Sequence, residues 1–153
     1  MPVEQKLANM GLSLPQTIKP LASYVPAVRT GNLVWISGQV PTQQGQLKAR
    51  GQIGDEISED QGYDFAQIAA LNALAALKAE IGDLDNVSRI VRITGYVSSS
   101  DDFTNQPVVV DGASDLMVKL FGDQGQHARV SVGVSRLPLD APVEIEMVVE
   151  VKG

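Results

Sequence analysis

The segment from His127 to Glu150 carries two apolar runs of period two, and no other feature constrains the fold as much. In an extended chain Val130, Val132 and Val134 share one face, and Arg129, Ser131 and Gly133 share the other. After a Leu137-Pro138 connection, Val143, Ile145, Met147 and Val149 alternate with Glu144, Glu146, Val148 and Glu150. Successive side chains of a strand point to opposite faces, so each run reads as a half-buried strand. If both apolar sets face the core, Arg129 and Glu144 leave the sheet together on its other face. A guanidinium fork that can clamp an anion, beside a carboxylate that can manage a proton, makes that face a candidate site.

The rest of the chain supplies the partners for these strands. Val25 to Arg29 and Leu33 to Gly38 read as a hairpin turning at Thr30-Gly31-Asn32. Thr42 to Ile57 is polar and rich in glycine, a long loop with room for a short edge strand. It is not a phosphate-binding loop of the Walker kind, because no Gly-Lys-Ser/Thr follows and no helix starts there. Ser58-Glu59-Asp60-Gln61 is a capping box that opens a helix running to Ile81 and stopping at Gly82. Ala70, Leu74, Leu77 and Ile81 form its apolar stripe, and Ala66, Ala69, Ala73 and Ala76 permit close approach to a sheet. Val87 to Ser99 alternates as a long strand, with Val91, Ile93, Gly95 and Val97 opposed to Ile90, Arg92, Thr94 and Tyr96. Asp101-Asp102 is expected to cap a second helix from Thr104 or Asn105 to Phe121, with Val110, Ala113, Met117 and Leu120 buried. Val3, Leu7 and Met10 fall at helical spacing, so a short helix is expected before Gly11 and Pro15.

The element order β-β-loop-α-β-α-β-β predicts an α+β two-layer fold, one sheet covered on one face by two helices. The expected organisation is one domain over residues 1–153, with residues 1–20 as an N-terminal extension. The uncovered face, expected to carry Arg129, Ser131, Arg92, Thr94 and Trp35, suits a subunit interface with wet clefts better than open solvent.

Composition narrows the function. Net charge is −6 and the densest basic cluster is Lys48-Ala49-Arg50, so the basic footprint of a nucleic-acid binder is missing. The chain has no cysteine, hence no thiolate nucleophile and no cysteine-based metal site, and no residues show metal-ligand spacing. No apolar run approaches a bilayer span, and Met1 to Asn9 lacks the apolar block of a signal peptide. A cytoplasmic protein without nucleic-acid or membrane partners is expected.

Two motifs carry a family resemblance. The run Ala128-Arg129 to Glu146, A-R-x-x-V-x-V-x-x-L-P-x-x-x-x-V-E-I-E in outline, resembles the C-terminal signature of the RidA (YjgF/endoribonuclease L-PSP) family. Tyr24-Val25, with Gly31-Asn32-Leu33-Val34-Trp35-Ile36-Ser37-Gly38-Gln39-Val40-Pro41, resembles its N-terminal block. The resemblance implies a chorismate-mutase-like fold, a homotrimer whose sheets face inward, and ligand clefts between subunits. It also implies an enamine/imine deaminase, needing no cofactor, that converts 2-imino acids to 2-keto acids and ammonia. Arg129 would bind the substrate carboxylate and Glu144 would activate a water. Tyr24 would cap the cleft or hydrogen-bond the substrate, and Ser37 and Gly38 would offer it a hydroxyl or a backbone amide. Two departures stand out: Ser131 replaces a cysteine common among relatives, and the second helix reads V-V-V-D-G-A-S-D-L-M in place of a V-N-A-x-Y pattern.

Plainer readings compete. Arg129 is also suited to a structural ion pair with Glu146 or Glu150, Tyr24 to packing, and Ser37-Gly38 to a strand-end turn. His127, the only histidine, reads as structural. At the level of function, a non-catalytic binder of 2-keto acids or related carboxylates is the alternative, and an endoribonuclease is disfavoured by charge and by the lack of a histidine pair.

Overall fold

The computed structural model describes residues 1–17 and 22–153. Residues 18–20 of the expected extension therefore fall outside the described part. The chain begins with a helix, α1 (Val3–Asn9), whose Val3 and Leu7 are buried. The hairpin follows as β1 (Ala27–Thr30) and β2 (Leu33–Gln39), paired antiparallel with Thr30 opposite Leu33. That register leaves Gly31 and Asn32 as the turn, and Gly31 takes φ 61°, a conformation glycine reaches without strain.

The polar loop folds back as a small separate hairpin, β3 (Thr42–Gln43) with β4 (Gln46–Leu47). α2 (Glu59–Ile81) starts at the capping box: Ser58 Oγ accepts from Gln61 N, and Gln61 Oε1 accepts from Ser58 N. Gly82 ends it at φ 86°. β5 (Val87–Ser98), α3 (Gln106–Phe121), β6 (Ala128–Val134) and β7 (Val143–Val151) complete the fold.

The sheet order is β1-β2-β7-β5-β6, antiparallel except for the parallel β5–β6 pair. α2 and α3 cover one face, as the two-layer reading requires. The predicted stripes meet there: Ala70, Leu74 and Leu77 of α2, and Val110, Ala113, Met117 and Leu120 of α3, are buried with Val143, Ile145, Met147 and Val149 of β7. Each large side chain removed from water contributes about 1.5–3 kcal/mol, so this layer supplies most of the drive to fold.

Three expectations need correction. The first concerns β6. Arg129 pairs in register with Ile93, and Ile93 with Met147, both core-facing. Arg129 and Ser131 therefore turn toward the helix layer, while Val130 and Val132 lie on the uncovered face at 36% and 37% exposure. Alternation fixes which residues share a face but not which face is covered. Here α3 presents Asp111 and Ser114 to the edge strand, and polar residues meet them.

The second correction lies in β5. A bulge between Ile90 and Arg92 shifts the alternation, so Ile90, expected on the outer face, is fully buried with Ile93. The third is the cap of α3. Asn105, not Asp101 or Asp102, holds the N-cap position, with Pro107 in the first turn, and its side chain donates to Glu59 Oε1 at 2.8 Å.

Candidate functional site

The uncovered face carries the first group of site residues. Glu144, Tyr96 and Val132 form one cross-strand row, and Glu146, Thr94 and Val130 the next. Tyr96 Oη donates to Glu146 Oε1 at 2.5 Å, and this bond to a carboxylate, with partial burial, pushes the phenol up to about 12. Beside them a cleft of about 280 Å³ is lined by Val28, Trp35, Ser37, Arg92, Thr94 and Glu146.

Glu144 sits at the rim of this face against β2. Burial, with the charge of Glu146 adding to it, raises its carboxyl above the ordinary carboxylate value. No ion pair engages it among the described residues. The close contact is with Gly38, where an added Cβ would lie 2.6 Å from Glu144 Oε2 and 2.9 Å from Cδ. The bulge in β2 between Ile36 and Gln39 brings Gly38 into this position. Ser37 Oγ donates to the Val25 carbonyl at 2.7 Å, tying the strand to the segment that carries Tyr24, itself 58% exposed. Glu144, Gly38 and Ser37 thus lie along one side of the sheet, with the segment that carries Tyr24 tied next to Ser37.

This packing predicts the effect of Gly38→Ala. The carboxylate is the end of a flexible side chain and can swing aside, so the fold should persist with little change in melting temperature. Glu144 would be displaced from its shielded position, and its carboxyl should return toward the ordinary value. Carboxyl NMR titration of the variant against the native chain checks this, and an unchanged Glu144 titration would contradict the contact.

Arg129 lies elsewhere. It is on the helix-side face of the edge strand, with 25% of its side chain exposed, and Nη1 donates to Asp111 Oδ1 at 2.6 Å and to Ser114 Oγ at 3.2 Å. Its ion-pair partner is therefore Asp111 of α3. Glu146 and Glu150, the partners considered from the sequence, belong to a strand whose glutamates face the other way. Ser131, two residues on and on the same face, buries a hydroxyl that has no hydrogen-bond partner among the described residues. His127 joins this second group. Its Nε2 lies 2.8 Å from Ser114 Oγ and its Nδ1 2.6 Å from the Gly125 carbonyl.

The candidate residues named from the sequence accordingly form two candidate half-sites on opposite faces of one sheet, Glu144 with Gly38 and Ser37 on one and Arg129 on the other. Tyr24 precedes β1 and lies off the sheet. Asp111 and Ser114, which hold Arg129, and His127 beside Ser114 are not among the candidates named from the sequence. The one sequence signal for Asp111 and Ser114 is the departure of the second helix at V-V-V-D-G-A-S, which places them one turn apart. Among the described residues no cluster of three His, Cys, Asp or Glu could hold a metal ion, and no helix is long and apolar enough to cross a membrane.

Comparison with known proteins settles the lineage. The sequence model of the family described as "YjgF/chorismate_mutase-like, putative endoribonuclease" matches residues 4–151. The chain belongs to this family. The match begins at Glu4, within α1. Protein TCP17 of Trypanosoma cruzi is 38% identical, over 97% of this chain and 93% of its own. The 2-iminobutanoate/2-iminopropanoate deaminase of Dermatophagoides farinae is 30% identical, over 92% of this chain and 95% of its own. Among solved structures, a protein of Shewanella oneidensis described as a putative endoribonuclease superposes with a TM-score of 0.95 at 32% identity, over 99% of this chain and 100% of its own.

Proposed function

We propose that the protein is an enamine/imine deaminase that hydrolyses 2-aminoacrylate-like 2-imino acids to 2-keto acids and ammonia, in clefts between the subunits of a homotrimer. The observation that carries this reading is Glu144: a partly buried carboxylate with a raised pKa, no ion-pair partner among the described residues and a glycine cradle. Structural carboxylates are paired with cations or bonded to amides, whereas a shielded and unpaired one suits proton transfer near neutral pH. The 30% identity to a protein named an imine deaminase supports the reaction class.

The opposite placement of the half-sites supports the intersubunit cleft. Arg129 and Glu144 of one chain are separated by the sheet, so one substrate meets both only if the arginine comes from one subunit and the glutamate from the next. The uncovered face also exposes Val28, Trp35, Val130 and Val132, an apolar group that favours burial against another copy.

In this mechanism Arg129 receives the substrate carboxylate and holds the imine carbon near Glu144. Glu144 takes a proton from water as its oxygen bonds to the imine carbon and passes that proton to the imine nitrogen, giving a carbinolamine. Glu144 then takes the hydroxyl proton and delivers it to the amino nitrogen as the C–N bond breaks, the carbonyl forms and ammonia leaves. Water and imine in, keto acid and ammonia out, the step balances without a cofactor.

The direct test couples an amino acid oxidase or a dehydratase, which generates the imine, to ammonia detection with and without the protein. Faster ammonia release with the protein is expected. A rate equal to the uncatalysed one for several imino acids, with 2-keto acids still bound, would instead identify a binding protein.

A further inference from the structure

Ser114 and His127 have a hydrogen-bond order that can be read from their partners. The Gly125 carbonyl is an acceptor only, so His127 Nδ1 must donate to it. The burial-lowered pKa of His127, lowered further by Arg129 although the Gly125 bond opposes the shift, agrees with a neutral ring, whose Nε2 is then an acceptor. The Ser114 hydroxyl donates to Nε2, and its lone pairs are left for Arg129 Nη1. The chain of donation runs from Arg129 to Ser114, to His127, to Gly125. Asp111 grips the same nitrogen, and both hydrogen bonds that Arg129 makes among the described residues leave from Nη1.

We infer that Ser114 and His127 are positioning residues for Arg129. Together with the Asp111 ion pair they fix Nη1 and leave the Nε/Nη2 edge of the guanidinium for a carboxylate. A carboxylate bound side-on to Nε and Nη2 needs both donors in one plane at a fixed angle. Arginine carries a large rotamer entropy, and a guanidinium already held by its other nitrogen loses less of it on binding. Asp111 need not be displaced, because the two edges do not overlap. The serine matters for direction: its hydroxyl is turned toward histidine, so it presents an acceptor to the arginine rather than a competing donor.

This inference rests on Arg129 being the carboxylate anchor, and the experiment separates the two. Binding of 2-oxobutanoate is measured by calorimetry for the native chain, Ser114→Ala, Ser114→Thr and Arg129→Ala. Alanine is the better helix former, so Ser114→Ala should keep its fold. Its affinity should fall about tenfold, the size of losing one hydrogen bond to a charged group. Threonine keeps the hydroxyl and should restore affinity to within about twofold, a rescue not expected if the serine only packs the helix. Because His127 is the only histidine, its ring nitrogen signals report the tautomer directly, and the Nδ1-protonated form is expected. Native-like affinity in Ser114→Ala, with binding lost in Arg129→Ala, would overturn the positioning role and keep Arg129 as anchor. An Nε2-protonated ring would overturn it equally. Native-like affinity in Arg129→Ala would remove both.

Discussion

Glu144→Gln should cost the protein its turnover while leaving its ligand affinity in place. Glutamine keeps the size of the side chain and still accepts a hydrogen bond, but it takes up no proton at neutral pH. Ammonia release should fall by about 10²-fold or more, the loss expected for a general acid–base residue. Binding of a stable 2-keto acid should persist or tighten, since a negative charge near the bound carboxylate has been removed. The same variant carries a stability signature with a defined sign. Burial and Glu146 raise the Glu144 pKa, so between the unfolded and folded values the native chain binds more protons than the unfolded one. Native stability should therefore fall as pH rises through that window, and Glu144 burdens the fold at neutral pH. Glu144→Gln should melt higher than the native chain at pH 7, with the difference shrinking as the pH drops to 4 and below. Equal melting curves at pH 7 would mean that the carboxylate is not shielded as the packing against Gly38 implies.

Such a burden is what a functional carboxylate looks like, and it bears on how much a sequence can disclose. The elements were legible where a local rule acts alone. The capping box at Ser58 and the glycine at Gly82 bounded α2 because helix ends are decided by a few neighbouring groups. The β7 pattern read correctly because both its neighbours keep the strand in the middle of the sheet, where one face must be apolar. β6 obeys the same period but sits at an edge. There α3 offers Asp111 and Ser114 to Arg129, which turns inward, and the period-two pattern then carries Ser131 inward and the valines outward. A bulge such as the one at Ile90 leaves no mark on a period-two pattern beyond a second apolar residue out of phase. Of the candidate site, the C-terminal motif names both Arg129 and Glu144 but not their separation by the sheet, because that depends on which face α3 covers. A lone histidine reads as structural, and although Gly125 lies only two residues before His127, its other partner, Ser114, comes from α3, which only the folded chain brings beside it.

The separation of the half-sites leads to the prediction with the most distinctive outcome. Arg129→Ala alone should abolish carboxylate binding and with it any deaminase activity, since a truncated charged anchor costs about 2–5 kcal/mol in binding. Arg129→Lys should rescue only in part, because an ammonium cannot reproduce the planar fork. Neither variant should unfold the chain, as the arginine keeps a quarter of its side chain in solvent and its ion pair with Asp111 is exposed to water. Now let Arg129→Ala and Glu144→Gln subunits, each inactive, be unfolded together and refolded as a mixture. If arginine and glutamate served one substrate within one chain, every site in the mixture would still lack one of them and activity would stay at zero. If they meet across an interface, a cleft formed by the native arginine of one variant and the native glutamate of the other is intact. Random assembly of equal amounts makes about one cleft in four of this kind, so about a quarter of native activity should return. Recovery on mixing, against silence in each parent, would tie the two faces of the sheet to one reaction. A mixture as inactive as its parents would dissolve the shared site and leave Arg129 and Glu144 with separate tasks.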